Sequence, residues 1–192
     1  MTELFAGLQA EVPTHLHDRL VADAERAGLL DVAYRTVESP VGPLLLAATP
    51  AGLVRVAYGS PDEALAALAE KVSPRILHAP GRLDAVARQL DEYFAGRRRA
   101  FDVPLDLRLA SGFRRSVLDH LPDIGYGRTW SYAEVAAAAG SPRAVRAVGT
   151  ACALNPVPVV LPCHRVVRSD GSMGRYAGGD EAKRTLLALE AA

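Results

Sequence analysis

Residues 131–149 read SYAEVAAAAGSPRAVRAVG, and this stretch decides the architecture of the half of the chain that holds it. Ser131 and Glu134 stand at the Ser-x-x-Glu spacing in which a hydroxyl and a carboxylate cap the first turn of a helix reciprocally. A short alanine-rich helix ending at Gly140 is therefore expected. Ser141-Pro142 predicts an immediate restart, because serine caps and proline suits a first turn, with the second helix running from Arg143 through Gly149 towards Asn155-Pro156. Two helices separated by a glycine-containing turn form a helix-turn-helix, whose second member commonly enters a groove of DNA. A plain helical hairpin inside a core would satisfy the same pattern. The alanine and glycine content of the second helix favours the DNA reading, since small residues let a backbone approach a surface closely.

Upstream of this stretch a helix is expected near Gly112–Leu121, and downstream a final helix at Glu181–Glu190 packs through Leu186, Leu187 and Leu189. Between them residues 156–179 read as irregular, with Pro156, Pro158, Pro162 and many glycines and serines. The first half has a different texture. Leu16, Leu20, Ala24 and Leu29 recur at near-helical spacing behind Pro13, with Thr14 as the expected cap. Val32–Val37, Leu44–Ala48 and Leu53–Tyr58 read as strands, the last two joined by the turn Thr49-Pro50-Ala51-Gly52. Glu63–Val72 and Leu83–Phe94 carry helical periodicity. The expected fold is thus α/β: a small N-terminal antiparallel-sheet domain of three strands with helices, and a mostly helical C-terminal domain with a winged helix-turn-helix. The expected boundaries are a helical extension at 1–30, an N-terminal α/β domain at 31–97, a linker at 98–110 and a C-terminal domain at 111–192.

Composition narrows the function classes. At 49% hydrophobic and 23% charged residues, the chain has the profile of a water-soluble globular protein. No apolar run nears the roughly 20 residues that span a bilayer, so no membrane partner is expected. The N-terminus lacks a basic start followed by an apolar stretch, so a cytoplasmic protein is expected. The net charge of zero hides an asymmetry: residues 1–96 hold 8 Lys/Arg against 13 Asp/Glu, and residues 97–192 hold 14 against 9. That balance hints that only the C-terminal half meets a polyanion. Two cysteines cannot supply the four ligands of a structural zinc site, so no metal is expected.

Cys152, between Ala151 and Ala153, reads as a small buried residue. Cys163 does not: Leu161-Pro162-Cys163-His164-Arg165-Val166-Val167 puts a thiol beside an imidazole at the expected end of a buried strand. A thiol at its ordinary pKa near 8.5 is mostly protonated at neutral pH and needs a positioned base to attack. Neighbouring residues on a regular element do not face each other, so His164 would reach Cys163 only around a tight bend or through a water. The base needs its own orienting acceptor, and Glu190 is a candidate.

Asn155-Pro156, Pro162-Cys163-His164-Arg165-Val166, Arg146-Ala147-Val148-Gly149 and Gly174-x-Tyr176-Ala177-Gly178-Gly179 together resemble the O6-alkylguanine-DNA alkyltransferase family, whose members are methylated-DNA–protein-cysteine S-methyltransferases. The resemblance runs over about residues 111–192, and Ser39-Pro40-Val41-Gly42-Pro43-Leu44 is similar to the family's first hairpin. It implies a ribonuclease-H-like N-terminal domain. It also implies a monomer without cofactor that acts on duplex DNA containing O6-alkylguanine, and O4-alkylthymine as well. The alkyl group would pass once, irreversibly, to Cys163. By the same resemblance His164 and Glu190 form a water-bridged relay that takes the thiol proton, and Asn155 shapes the turn beneath it. Tyr132 assists the departing guanine. Arg146 fills the base stack from a helix whose Ala144, Ala147 and Gly149 lie against DNA. Pro158, Met173, Gly174, Arg175, Tyr176, Ala177 and Gly178 wall the pocket, and the main chain near Val166 and Ala177 reads the base edges.

The chemistry suits these residues. An alkylated O6 lies inside the duplex, so the nucleotide must swing out before attack. A guanidinium can occupy the vacated stack, and a donor lowers the barrier to expelling guanine. Two other classes fit parts of the pattern. A lesion-binding relative would lack the acceptor thiol, and a turning-over Cys-His hydrolase would leave the helix-turn-helix unexplained. Arg175 and Asp180 depart from the family's usual residues at those positions and bear on which adducts the pocket accepts.

Overall fold

The run Leu44-Leu45-Leu46-Ala47-Ala48 is apolar at every position, the pattern of a strand covered on both faces. In the computed structural model, which describes residues 13–191, it forms β2 (Leu44–Thr49), with all six residues buried. β1 (Val32–Val37) and β3 (Gly52–Ala57) flank it antiparallel. A fourth strand, β4 (Ile76–His78), joins β1 in parallel, giving the order β3-β2-β1-β4. The expected sheet had three strands. At three residues, β4 is too short for alternation to show in the sequence.

Two helices cover the sheet. Leu45 and Ala47 meet Ala64 and Leu68 of α2 (Pro61–Lys71) on one face. Leu44, Leu46 and Leu53 meet Val86, Leu90 and Tyr93 of α3 (Asp84–Phe94) on the other. That second face does not end with the N-terminal unit. Its cluster continues through Val117 and Leu118 of α4 (Gly112–His120), Val148 and Cys152, to Leu186. One continuous apolar core thus fixes the two halves against each other. The segment between them is pinned as well: Leu53 N–H donates to Pro104 O (2.8 Å), Asp106 N–H donates to Leu53 O (2.9 Å), and the Gln89 amide grips both the N–H and the carbonyl of Asp102.

Ser131 and Glu134 form the expected capping box at the start of α5 (Tyr132–Ala138). The second helix departs from expectation, because α6 runs Val145–Ala153 and Ser141 does not cap it. Ser141 to Ala144 close a turn instead, with Ala144 N–H donating to Ser141 O at 2.8 Å. Pro142 holds the second position of that turn, which its fixed φ suits as well as it suits a helix start. Arg143 and Ala144 therefore precede the helix. The N-terminal helix α1 (Thr14–Arg26) begins one residue earlier than expected: Pro13 is its N-cap and Thr14 already lies inside it. Residues 1–12 of the expected extension lie outside the described residues.

β5 (Trp130–Ser131) and β6 (Val166–Val167) pair in parallel beside the two-helix unit, and α7 (Gly179–Ala191) closes the domain. No helix among the described residues is long and apolar enough to cross a membrane.

Candidate functional site

Residues 155–162 leave α6 as a tight irregular turn rather than the buried strand expected before Cys163. Asn155 organises it. Its Oδ1 accepts from Val157 N–H (3.0 Å), and its Nδ2 donates to Leu161 O (2.9 Å) and to Cys163 Sγ (3.2 Å). Leu161 N–H closes the loop onto Val157 O at 2.9 Å, which leaves Val159 at the tip with φ of 72°. A β-branched residue in that left-handed region costs of order 1–3 kcal/mol, sustained only where the surroundings over-determine it. Here the side chain of Asn155 spans the turn and does so.

Cys163 opens a single 3-10 turn with His164 and Arg165, and all three are buried. Burial pushes the Cys163 thiol up to about 11, against the Asn155 hydrogen bond and the Lys183 charge, both of which favour the thiolate. The resting group is therefore a thiol, and attack requires a base. His164 makes no direct bond to Cys163. Its Nε2 meets Glu190 Oε1 at 2.9 Å, while Nδ1 is buried with no partner among the described residues. Burial lowers the His164 pKa, outweighing the Glu190 carboxylate that raises it, so the imidazole is neutral at neutral pH and able to accept a proton.

Glu190 anchors more than His164. Arg165 donates to both of its oxygens (2.8 and 2.9 Å), Tyr93 O–H donates at 2.6 Å, and Gly127 N–H donates at 3.3 Å. Burial works to raise its pKa, but the hydrogen bonds from His164 and Arg165 overcome this and hold it near 2. Gly127 has φ of 70°, and a Cβ there would lie 2.8 Å from Glu190 O, so only glycine brings this N–H so close. Arg165 also donates to Ile124 O.

Tyr132 sits where α5, α6 and the loop 173–178 converge. A Cβ at Gly174 would fall 2.0 Å from the Tyr132 hydroxyl, and one at Gly149 would fall 3.9 Å from its ring. The hydroxyl has no hydrogen-bond partner among the described residues, and burial raises its pKa, keeping it a donor. Pro158, Val166, Gly174 and Tyr176 are buried, Met173 and Gly178 are partly buried, and Arg175 and Ala177 are exposed. Arg175 thus points outward from the loop. The Val166 carbonyl already accepts from Lys183 Nζ at 2.6 Å.

On α6, Val148, Ala151 and Cys152 face the core. Arg146 and Ala147 are exposed, and Gly149 and Ala144 are half-buried. Cys152 is a core residue whose thiol burial drives far up. Cys163, His164, Glu190 and Asn155 come together as one cluster, and Tyr132 packs against the core that holds Cys163. Arg146 stands apart on the outer face of α6.

Four participants escaped the sequence reading as site residues: Arg165, Lys183, Tyr93 and Tyr58. Lys183 and Glu190 had a visible signal, since with Ala182 and Leu186 they form the buried stripe of α7, an apolar face at helical spacing that carries two charges. Tyr93 lies on the buried face of α3 with Val86 and Leu90, 97 residues from the carboxylate it contacts. Tyr58 hydrogen-bonds Tyr176 (3.0 Å), whose ring meets the His164 ring edge-on.

Residues 32–107 match the family described as 6-O-methylguanine DNA methyltransferase, ribonuclease-like domain, and residues 112–192 match the corresponding DNA binding domain. A methylated-DNA–protein-cysteine methyltransferase of Mycobacterium tuberculosis is 41% identical over 162 residues, covering 83% of this chain and 92% of that protein. The constitutive methylated-DNA–protein-cysteine methyltransferase of Bacillus subtilis is 37% identical over 163 residues, covering 82% and 94%. Among solved structures, M. tuberculosis OGT in complex with DNA has a TM-score of 0.72 at 40% identity, covering 83% of this chain and 92% of that one.

Proposed function

The chain belongs to the 6-O-methylguanine DNA methyltransferase family, and from that premise we propose that it repairs O6-alkylguanine, and O4-alkylthymine, in duplex DNA by moving the alkyl group onto Cys163. One observation carries the assignment to that thiol. Cys163 Sγ accepts from Asn155 one residue from a buried neutral imidazole, itself held by a carboxylate with four further donor contacts.

In the reaction, a water between His164 Nδ1 and Sγ passes the thiol proton to the imidazole, and Glu190 stabilises the imidazolium. The sulfur lone pair forms the new S–C bond as the C–O6 bond breaks. Its electron pair stays on the guanine, which the Tyr132 hydroxyl hydrogen-bonds and which is finally reprotonated at nitrogen. The nucleotide reaches Cys163 only when turned out of the duplex. The exposed Arg146 on α6 fills the space it leaves, with Ala144, Ala147 and Gly149 allowing close approach to DNA. Pro158, Val166 and the 173–178 loop enclose the base.

The product thioether has no leaving route, so each chain acts once. Both cysteines are free thiols, which suits a cytoplasmic monomer. Titration with duplex DNA carrying radiolabelled O6-methylguanine tests this reading. Label should saturate at one methyl per chain, and many transfers per chain would replace it with a turnover mechanism.

A further inference from the structure

The N-terminal unit carries more Asp and Glu than Lys and Arg, yet the charged residues lining one cleft are all cations. A cavity of about 360 Å³ lies where β3, the end of α2, the start of α4 and the end of α6 meet. Arg55, Lys71 and Arg114 line it, and no Asp or Glu does. Pro158 and Ala177, two walls of the proposed base pocket, border the same cavity, as does Asn155.

None of the three cations has an acidic partner among the described residues. Among the described residues, Arg55 and Lys71 make no ion pair, and partial burial alone lowers the Arg55 pKa, with no acid near enough to offset it. Arg114 donates through Nη2 to Leu109 O, and its Nε is buried with no partner. Three like charges around one cleft repel unless an anion sits among them. Guanidinium and ammonium groups together suit a phosphate, with its several acceptor oxygens.

We propose that this cleft is a phosphate site, and that its occupant is a phosphodiester of the damaged DNA beside the turned-out nucleotide. The placement rests on the repair reading above. A base lodged against Pro158 and Ala177 brings its flanking phosphates within one nucleotide's reach of the cavity those residues share. Arg55 and Lys71 then extend the DNA footprint onto the N-terminal unit, where the overall charge balance hinted at none.

The test compares the full chain with its Arg55→Gln/Lys71→Gln double variant. Affinity for an O6-methylguanine duplex is measured over a range of salt, beside the rate with free O6-benzylguanine and the melting temperature with and without inorganic phosphate. The double variant should bind DNA more weakly, with a log–log salt slope shallower by about 1.8, or two counterions. Its free-base rate should match that of the parent chain, which also shows that the variant is folded. An unchanged slope and affinity overturn the DNA placement. If inorganic phosphate nonetheless raises the parent's melting temperature and not the variant's, the cleft binds free phosphate instead. If neither DNA binding nor the phosphate effect changes, no phosphate site exists there. Failure of the repair reading would look different: the parent itself would not transfer a methyl group, while the phosphate measurement would still report on the cleft.

Discussion

Replacing Glu190 with Gln keeps the side chain's shape and removes its charge, and the geometry sets what this costs. Oε1 accepts from Tyr93, His164 and Arg165, and Oε2 accepts from Arg165 and Gly127. Whichever way the new amide turns, its NH2 faces at least two donors, and Arg165, 6% exposed, loses its only ion-pair partner among the described residues. Breaking a buried pair by removing one member costs about 3–5 kcal/mol. For a chain of this size each kcal/mol moves the melting temperature by roughly 2–4 °C, so a fall of about 6–20 °C is expected.

The loss should be smaller in Glu190→Gln/Arg165→Met, because the stranded cation is gone. Methyl transfer should be slow in both variants, since the imidazolium formed at His164 loses the carboxylate charge that stabilises it. Acid sensitivity should change in a defined direction. The Glu190 carboxyl is held near 2, below its ordinary value of 4.5, so its stabilisation is full above 4.5 and lost as the pH falls towards 2. Glu190→Gln should therefore flatten stability against pH across that window. Urea unfolding of both variants at neutral and acid pH is the assay. A single-variant loss below about 1 kcal/mol, with methyl transfer at the parent rate, would refute the claim that this carboxylate organises the site.

Three further outcomes are expected. Arg146→Ala should slow repair of duplex DNA far more than reaction with free O6-benzylguanine, because only the duplex requires a nucleotide to be held out of the stack, at a few kcal/mol; equal losses would move Arg146 into the chemistry or the fold. Gly174→Ala should displace the Tyr132 hydroxyl, which a Cβ would approach to 2.0 Å, and slow the free-base reaction by about a hundredfold or more with little change in melting temperature; an unchanged rate would remove Tyr132 from the reaction. The free-base rate should be flat from pH 9 down past 6.5 and fall only below it, since burial lowers the His164 pKa and the proton goes to neutral His164; a tenfold rise per pH unit between 7 and 9 would mean that the thiol, pushed up to about 11, ionises to solvent first.

Local signals carried the sequence reading where they were self-contained. The Ser131–Glu134 capping box and the apolar run of β2 each state their structure within a few residues, whereas Pro162-Cys163-His164-Arg165 marks a candidate site without stating its 3-10 turn. Where two local rules compete, the sequence does not choose between them. Ser141-Pro142 suits both a helix start and a turn, and the turn won because the chain must reorient after Gly140, which has φ of 76°. The buried cluster around Glu190 was half legible. Cys163 and His164 are adjacent, but the contacts of Glu190 come from α3, from Gly127 and from the 3-10 turn, and no spacing rule joins Tyr93 to a carboxylate 97 residues away. The cationic cleft was hidden more deeply, since it assembles Arg55, Lys71 and Arg114 from three elements of two units with opposite net charge.

The proposed reaction requires that Cys163, and not Cys152, takes the alkyl group. Incubation with duplex DNA containing O6-methylguanine, followed by proteolysis and peptide mass spectrometry, tests it directly, with Cys163→Ala and Cys152→Ala as paired controls. One added methyl is expected on the Cys163 peptide in the parent chain and in Cys152→Ala, and none in Cys163→Ala. A methyl on the Cys152 peptide, or transfer that survives Cys163→Ala, would contradict it.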